Sequence, residues 1–234
     1  MLDRRKAPRR PSPRAPFDAP LSDARAAALV DELAVAPGGH IVDLGCGWAE
    51  LLLRMVESHP GTTGTGIDID QGAINRGVRE ASLRGLYERV ELVEGDAAVF
   101  EDRADVVLCV GAAEGLGRAS RALHLIAEIL EPGGLALFGD RIWNAPAGAV
   151  ARAGLGDLPV LDGLLALARA AGFSVTGYDV STPAEWESYA TAWHEALAEA
   201  AVPDPLFAAE VEAHASSHGG AVGFVWLELS KQPT

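Results

Sequence analysis

The most informative stretch of the chain is IVDLGCGWAE, at positions 41–50, where an apolar run holds one acid and leads into two glycines. Gly45 and Gly47 let the backbone turn sharply and approach a ligand closely. A loop that binds a diphosphate uses such a turn together with the N-terminus of the helix that follows. Asp43, two residues before the turn, would repel a phosphate and attract a cation. The spacing therefore predicts a site for a ligand with a cationic end.

Two further acids stand at the ends of apolar runs. Asp68 closes TGTGID, and Asp96 follows RVELVEG. A carboxylate at such a strand end can accept hydrogen bonds from the hydroxyl or amine groups of a ligand. The alternative interpretation is structural, with Asp68 as a helix cap and Asp96 as a strand end. For Asp70, capping the helix that follows is the predicted role.

An alternation of predicted helices and strands positions these acids. Ser22 is expected to cap a helix that runs to about Val35, and a further helix is expected over residues 118–131. Apolar strands separated by helices indicate parallel strands that are covered on both faces. Ligands of such sheets bind at the carboxyl ends of the strands, where the strand order reverses. The predicted strands are HIVDLG, TGTGIDI, RVELVEGD, ADVVLCVG, LALFGDRI, FSVTGYDV and GAVGFVWLEL.

Composition and charge limit the class of protein. The 234 residues fit one domain, and no apolar run reaches the roughly 18 residues of a membrane span. The net charge is −14, but residues 1–16 hold six bases and one acid, or +5, which leaves −19 for the rest. Such a body repels nucleic acid, and the Pro- and Arg-rich head is predicted to be a disordered tail. We expect a cytoplasmic protein with no nucleic-acid or membrane partner, and a homodimer is left open.

Four motifs of the chain resemble those of the class I S-adenosylmethionine-dependent methyltransferases. VDLGCGWAE is similar to the first motif of this family, whose ligand carries an ammonium and a sulfonium. GIDID, EGDAA and LEPGG are similar to the family's later motifs, in the same order, and the resemblance extends over residues 38–142. Ala49 departs from the pattern, because a third glycine is usual there. The resemblance implies an α/β, doubly wound Rossmann-like sheet of seven strands, mostly parallel with an antiparallel last strand, and a helical insertion before that strand.

The same resemblance implies that S-adenosyl-L-methionine is the cofactor and S-adenosyl-L-homocysteine the product. The cationic end is expected near Asp43 and the glycine turn, the ribose on Asp68, and the adenine amine near Asp96. One methyltransferase domain is expected over residues 17–234, after the tail. Its N-terminal helix is expected within 17–36 and its lid insertion at 181–218. The cofactor-binding residues implied are Asp43, Gly45, Cys46, Gly47, Asp68, Ile69, Asp96, Ala97 and Val110.

Two stretches bear on the acceptor of the methyl group. CVGAAEG lacks the Asn-Pro-Pro-aromatic motif of amide- and base-modifying enzymes, which disfavours those targets. FGDRIWNAPAG and PAEWESYATAWHEA resemble a bacterial branch of small-molecule methyltransferases, which implies a small-molecule acceptor. The candidate catalytic bases are Asp140, Glu114 and His194, and the candidate acceptor-binding residues are Trp143, Trp186, Tyr189 and Trp193.

Three of those aromatic residues recur at helical spacing. Trp186, Tyr189 and Trp193 lie at i, i+3 and i+7, on one stripe of a helix. One interpretation is an aromatic lid over the acceptor, and the other is simple packing of this helix on the sheet. Both stay open at the level of sequence.

The charge of the acceptor is predicted from the last third of the chain. Residues 170–230 contain no Lys or Arg and nine acids. A bare anion would meet unfavourable potential there. We therefore expect a neutral or cationic acceptor, unless Arg118, Arg121 or Arg141 lines its pocket.

Other functions remain as alternatives. Glu210, His214 and His218 have metal-ligand spacing on a helix, but no further ligand is evident and no metal is predicted. The spacing from Gly45 to Asp68 also occurs in NAD(P)-dependent oxidoreductases, but such a function does not explain an acid at position 43. An aminopropyl transferase of the same fold, or a partner protein without catalysis, are the remaining alternatives.

Overall fold

The structure is a computed structural model that describes residues 15–144, 157–200 and 221–232. Strands and helices alternate through most of this part of the chain. The strands are β1 (His40–Leu44), β2 (Thr63–Asp68), β3 (Val90–Glu94), β4 (Ala104–Val110), β5 (Leu130–Trp143), β6 (Phe173–Val180) and β7 (Val222–Lys231). The helices are α1 (Asp23–Glu32), α2 (Glu50–Ser58), α3 (Gln71–Leu83), α4 (Arg118–Ile129), α5 (Leu161–Ala170) and α6 (Pro183–Ala200), with a short 3₁₀ helix at Ala97–Val99.

The strands form one seven-stranded sheet in the order β3-β2-β1-β4-β5-β7-β6. The first five strands are parallel, and β7 is antiparallel to both of its neighbours. This arrangement confirms the predicted Rossmann-like fold class. The strand order reverses between β1 and β4, so the carboxyl ends of these two strands are where a ligand of such a sheet binds.

The sheet forms because successive residues of the central strands bury their side chains on opposite faces. Ile41 of β1 belongs to one hydrophobic core, whereas Val42 and Leu44 belong to the other. In β4, Val106 and Val107 divide between the two cores in the same way. Both faces are covered by helices, which explains the nearly continuous apolar character of these strands.

Side-chain caps fix two of the predicted helix starts. The Ser22 hydroxyl accepts a hydrogen bond from the backbone N–H of Arg25 at 3.2 Å, which starts α1. Asp70 accepts from the N–H of Gly72 at 2.7 Å, which starts α3 as predicted. Each cap satisfies a backbone donor that the first turn of a helix leaves without a partner.

Some element ends differ from the predictions. The first helix ends at Glu32 rather than near Val35. The helix expected over 118–131 ends at Ile129, because Leu130 pairs with Ala104 and so begins β5 before a shift in register. Of the insertion expected at 181–218, α6 covers Pro183–Ala200, and residues 201–218 lie outside the described part. Among the described residues, none of the helices has the length and apolar character needed to span a membrane.

Residues 15–22 form a segment that we call the N-terminal strap. The carbonyl of Pro16 accepts a hydrogen bond from the Trp48 indole at 2.7 Å. At the other end, the carbonyl of Pro20 accepts from the hydroxyl of Ser181 at 2.8 Å. The strap therefore connects the region after β1 to the start of α6. Residues 1–14 of the predicted tail lie outside the described part of the chain.

Candidate active site

The turn after β1 has the conformation that its two glycines permit. Gly45 and Gly47 have φ angles of 74° and 55°, in the left-handed region. A Cβ atom on Gly45 would lie 2.4 Å from that of Ala112, so a larger residue does not fit. A Cβ on Gly47 would meet nothing within 4 Å, which leaves open space above the turn. Ala49 takes φ 61° at the start of α2, so it adopts the conformation of the glycine usual in the family pattern.

Asp68 joins this turn to the end of β2. Its Oδ2 accepts a hydrogen bond from the N–H of Gly47 at 2.8 Å, and its Oδ1 accepts from the N–H of Asp70 at 2.8 Å. Burial raises the pKa of Asp68, and these backbone donors oppose the rise. The helix cap is Asp70, so Asp68 has a different structural role from the cap that was its alternative interpretation. Its oxygens keep lone pairs for a ligand, since each carboxylate oxygen accepts more than one hydrogen bond.

Among the carboxyl groups at this edge of the sheet, Asp43 has the most strongly shifted pKa. Only 5% of the residue is exposed, and within the described ranges its carboxylate accepts no hydrogen bond. Burial first, and the nearby charge of Asp68 second, raise the pKa of Asp43 from its ordinary 3.8 to about 8. A buried carboxylate without a partner is unfavourable when ionised. A cation bound beside it would relieve that penalty, so the residues fit the ammonium end of S-adenosylmethionine.

The loops after β2, β3 and β4 complete the cofactor side. Asp96 accepts a hydrogen bond from the N–H of Ala98 at 3.0 Å and caps the 3₁₀ helix, two residues after β3 ends at Glu94. Ile69 exposes 54% of its surface, whereas Ala97 is buried. Val110 is half-buried at the end of β4, and Cys46 is half-buried in the turn. The predicted cofactor residues thus lie on consecutive loops at the carboxyl edge of the sheet.

A second cluster lies at the end of β5. Asp140 is 7% exposed, and its Oδ1 accepts a hydrogen bond from the N–H of Arg141 at 2.8 Å. Burial raises the pKa of Asp140 to about 6, and Arg141 opposes part of this rise. The guanidinium of Arg141 pairs with Glu114 at 3.1 Å. A cavity of about 60 Å³ is lined by Glu114, Arg118, Ala119, Asp140, Arg141, Asp157, Leu158 and Pro159.

The structure thus brings two of the three candidate bases together and leaves out the third. Asp140 and Glu114 line one cavity, whereas His194 is exposed on α6 and does not line it. Arg118 and Arg141 line the same cavity. They are two of the three arginines whose presence in the acceptor pocket would allow an anionic group on the acceptor. Residues 210–218, with the suggested metal spacing, lie outside the described part, and in the described part no group of three metal-ligating residues occurs.

The aromatic candidates are buried. Trp186 and Trp193 are 2% and 1% exposed, and Trp143 is 4% exposed at the end of β5. Tyr189 is half-buried and meets the Trp186 ring edge-on, with centroids 5.8 Å apart. The indole N–H of Trp193 donates to Asp18 of the N-terminal strap at 2.9 Å. These contacts match the packing interpretation for Trp186 and Trp193, which anchor α6 and the strap.

Sequence reasoning missed the polar cluster that joins α1 to α6. Glu185 accepts hydrogen bonds from the side chains of Ser22 and Arg25, both at 2.8 Å. Arg25 also pairs with Asp179. Serine, arginine and acid residues so far apart in the chain give no local signal, and only the fold brings them together.

Comparisons with known proteins agree with this geometry. A family model described as a methyltransferase domain matches residues 41–134. The chain is 34% identical over 209 residues to the uncharacterized protein YjhP of Escherichia coli K12, which covers 83% of this chain and 82% of that protein. The X-ray structure of YjhP superposes with a TM-score of 0.79 at 27% identity, over 92% of this chain and 95% of that one.

A second solved structure bears on the ligand. It is a methyltransferase from Geobacter sulfurreducens, described as S-adenosylmethionine-dependent and crystallised with S-adenosyl-L-homocysteine. Its TM-score is 0.79 at 26% identity, over 92% of this chain and 94% of that one. The chain belongs to the class I S-adenosylmethionine-dependent methyltransferases, and S-adenosylmethionine is the cofactor of this family. This membership replaces the oxidoreductase alternative.

Proposed function

We propose that this protein transfers a methyl group from S-adenosylmethionine to a small-molecule acceptor of neutral or cationic net charge. The observation that carries the proposal is Asp43, a buried carboxylate with no hydrogen-bond partner in the described residues, beside an open glycine turn. A cationic ligand would stabilise the ionised form of such a group. The nine acids of residues 170–230, where Lys and Arg are absent, support a neutral or cationic acceptor.

The turn and the neighbouring loops would hold the cofactor. We assign the ammonium end to Asp43 and to the turn formed by Gly45, Cys46 and Gly47, and the ribose hydroxyls to Asp68. The exposed Ile69 offers an apolar surface to the adenine ring, with Asp96 near its amine. Ala97 and Val110 would border the same site from the loops after β3 and β4. When bound, S-adenosylmethionine supplies an electrophilic methyl group on a sulfonium sulfur.

Asp140 is the best candidate for proton removal from the acceptor. Its Oδ1 accepts the N–H of Arg141, whereas its Oδ2 accepts no hydrogen bond in the described part of the chain. With a pKa of about 6, the carboxyl group is ionised at neutral pH and still basic enough to take a proton from an O–H or N–H. Glu114 would hold Arg141 in place. Correct positioning of the acceptor contributes more, about 7–11 kcal/mol of the barrier.

Calorimetry tests the cofactor assignment through Asp68. The Asp68→Ala variant loses the ribose partner and the bond that holds Gly47, so S-adenosylmethionine should bind more weakly by about 1.5–3 kcal/mol. Asp102→Ala is the matched control, because Asp102 is an exposed acid ahead of β4, at the opposite edge of the sheet. Equal affinity of the wild type and the Asp68 variant would contradict the assignment.

A turnover screen tests the acceptor class. Amines, zwitterionic amines, phenols and carboxylic acids are offered in matched sets with the cofactor in excess, and the methylated product is detected by mass. We expect turnover of neutral or cationic acceptors, and at least a tenfold loss in Asp140→Asn, in line with the ~10²–10⁴-fold contribution of a general base. Methylation confined to anionic acceptors would contradict the proposal.

A further inference from the structure

The cavity beside β5 contains one positive charge that nothing in the described chain neutralises. Arg141 pairs with Glu114 at 3.1 Å. Arg118 lines the same cavity, and its guanidinium forms no ion pair or hydrogen bond with any described residue. Arg118 is an exposed residue. A charged group of the opposite sign on a ligand would therefore find Arg118 available.

The backbone at Arg118 is unusual for a residue with a side chain. Gly117 has φ 90° and Arg118 has φ 75°, so two successive residues are in the left-handed region at the start of α4. The N–H of Arg118 donates to the carbonyl of Ala113 at 2.7 Å, which fixes this conformation. Glycine suits such a backbone better than any other residue. An arginine of the cavity lining therefore occupies this position in spite of the strain.

Asp140, which also lines the cavity, carries an available negative charge. Asp140 is nine-tenths buried, its Oδ1 accepts the N–H of Arg141, and its Oδ2 accepts no hydrogen bond in the described ranges. The cavity of about 60 Å³ has room for a small charged group. Asp140 thus suits an amine, and Arg118 suits a carboxylate. A ligand with both groups complements the cavity and stays neutral overall.

We propose that the acceptor is a zwitterion, with a carboxylate bound by Arg118 and an amine end that faces Asp140 and Glu114. This inference rests on the proposed methyl transfer, since it concerns the acceptor of that reaction. It agrees with the absence of Lys and Arg from residues 170–230, because the anionic group then depends on Arg118. Arg118 acts as a specificity residue, and a guanidinium matches a carboxylate through two parallel hydrogen bonds.

Binding to the cofactor-free protein tests the role of Arg118 without any turnover. Glycine, β-alanine and γ-aminobutyrate are titrated by ligand-observed NMR, each beside its carboxamide, so that the series varies the distance between amine and carboxylate. We expect one acid of the series to bind at least about tenfold more tightly than its amide. Arg118→Gln should abolish this preference, and Arg118→Lys should restore part of it. Equal binding of all acids and amides would overturn the inference.

Arg118→Gly separates specificity from structure. Because glycine relieves the left-handed strain, this variant should melt at the wild-type temperature or above it. It should nevertheless lose the preference for the acid over the amide. A variant that melts well below the wild type, or that keeps the preference, would overturn the inference and leave Arg118 with a structural role.

The same titrations distinguish failure of this inference from failure of the proposed function. S-adenosylhomocysteine is titrated into the wild type and into Arg118→Gln, and both should bind it equally. If it binds, and amines are methylated at equal kcat/KM with and without a carboxylate, only the zwitterion inference is wrong. If it binds to neither protein, the proposed function is wrong, and the comparison of acids with amides still decides the role of Arg118.

Discussion

The buried carboxyl group of Asp43 makes the stability of the fold depend on pH. In the ligand-free protein, burial and the charge of Asp68 raise its pKa to about 8, from an ordinary value of 3.8. The folded state therefore binds a proton more tightly than the unfolded state does. It follows that the free energy of unfolding declines as the pH rises from about 4 to 8, over which the unfolded chain has already released this proton.

We predict that Asp43→Asn stabilises the ligand-free protein and weakens cofactor binding. The amide has the shape of the protonated acid and never ionises, so the free energy of unfolding at pH 8 should rise by up to about 5 kcal/mol. At pH 4 the two proteins should be equally stable. Chemical denaturation at several pH values measures the first effect, and calorimetry with S-adenosylmethionine measures the second.

The exposed Asp102→Asn is the control for Asp43→Asn, and it should change neither quantity. A stability difference between Asp43→Asn and the wild type that is the same at pH 4 and pH 8 would contradict the assigned pKa. Unchanged cofactor affinity would remove Asp43 from the binding site.

At the residue level, the sequence predicted the groups that depend on local spacing. Asp43 and Gly45 were named because strand, acid and turn follow one another within a few residues, and Asp68 because it ends the next apolar run. Their role in binding the cofactor stays a prediction. Arg118 was named only as an exception, since its left-handed φ of 75° and its lack of a partner are properties of the folded chain. Local pattern does not report which charges remain unpaired after folding.

The elements themselves were predictable where burial dominates. Each central strand is buried on both faces, so its apolar run is unmistakable. Element ends were less predictable, because long-range pairing decides them, as with Leu130 and Ala104. The contact of α1 with α6 was not predicted at all, since Arg25 and Glu185 are 160 residues apart.

Glu185 is the centre of that contact. It accepts hydrogen bonds from Ser22, Arg25 and the backbone N–H of Thr182, the last at 2.8 Å. Burial acts to raise its pKa, but the hydrogen bonds from Arg25, Thr182 and Ser22 prevail and lower it to about 2. The ionised form therefore stabilises the fold above the ordinary pKa of 4.5, and this contribution is lost as the pH falls toward 2.

We predict that Glu185→Gln destabilises the protein by about 2 kcal/mol at pH 7, because Arg25 loses its buried partner. The difference from the wild type should shrink as the pH falls below 4.5. Asp179→Asn is the matched control, since it removes the other acid that pairs with Arg25. The side chain of Asp179 is 68% exposed, so its loss should cost less than about 1 kcal/mol. Equal effects of the two variants would contradict the central role of Glu185.

At the scale of the whole molecule, the N-terminal strap connects the glycine turn after β1 to α6. Pro16 contacts Trp48, next to the glycine turn, and Asp18 contacts Trp193 of α6. A Cβ atom on Gly111, just after β4, would lie 3.7 Å from the carbonyl oxygen of Asp18, so the strap passes over the loop after β4. The strap thus covers the edge of the sheet at which the strand order reverses.

Two deletions should have opposite outcomes. Removing residues 2–14 takes away most of the basic tail, whose composition offers little apolar surface for packing, so the melting temperature and the cofactor affinity should not change. Removing residues 2–20 also takes away the buried Phe17 and the partners of Trp48, Ser181 and Trp193. Burial of one such aromatic side chain is worth about 1.5–3 kcal/mol, so this deletion should lower the melting temperature by several degrees.

The longer deletion should also weaken binding of S-adenosylmethionine, because the strap holds the Trp48 side of the glycine turn in place. Thermal denaturation and calorimetry on the two deletion variants measure both effects. If the shorter deletion lowers either quantity as much as the longer one does, then residues 2–14 contribute to the fold or to the site, and the tail is not dispensable up to the start of the strap at residue 15. If the longer deletion changes neither, the strap contacts are dispensable, and cofactor binding depends on the loops after β1, β2 and β3 alone.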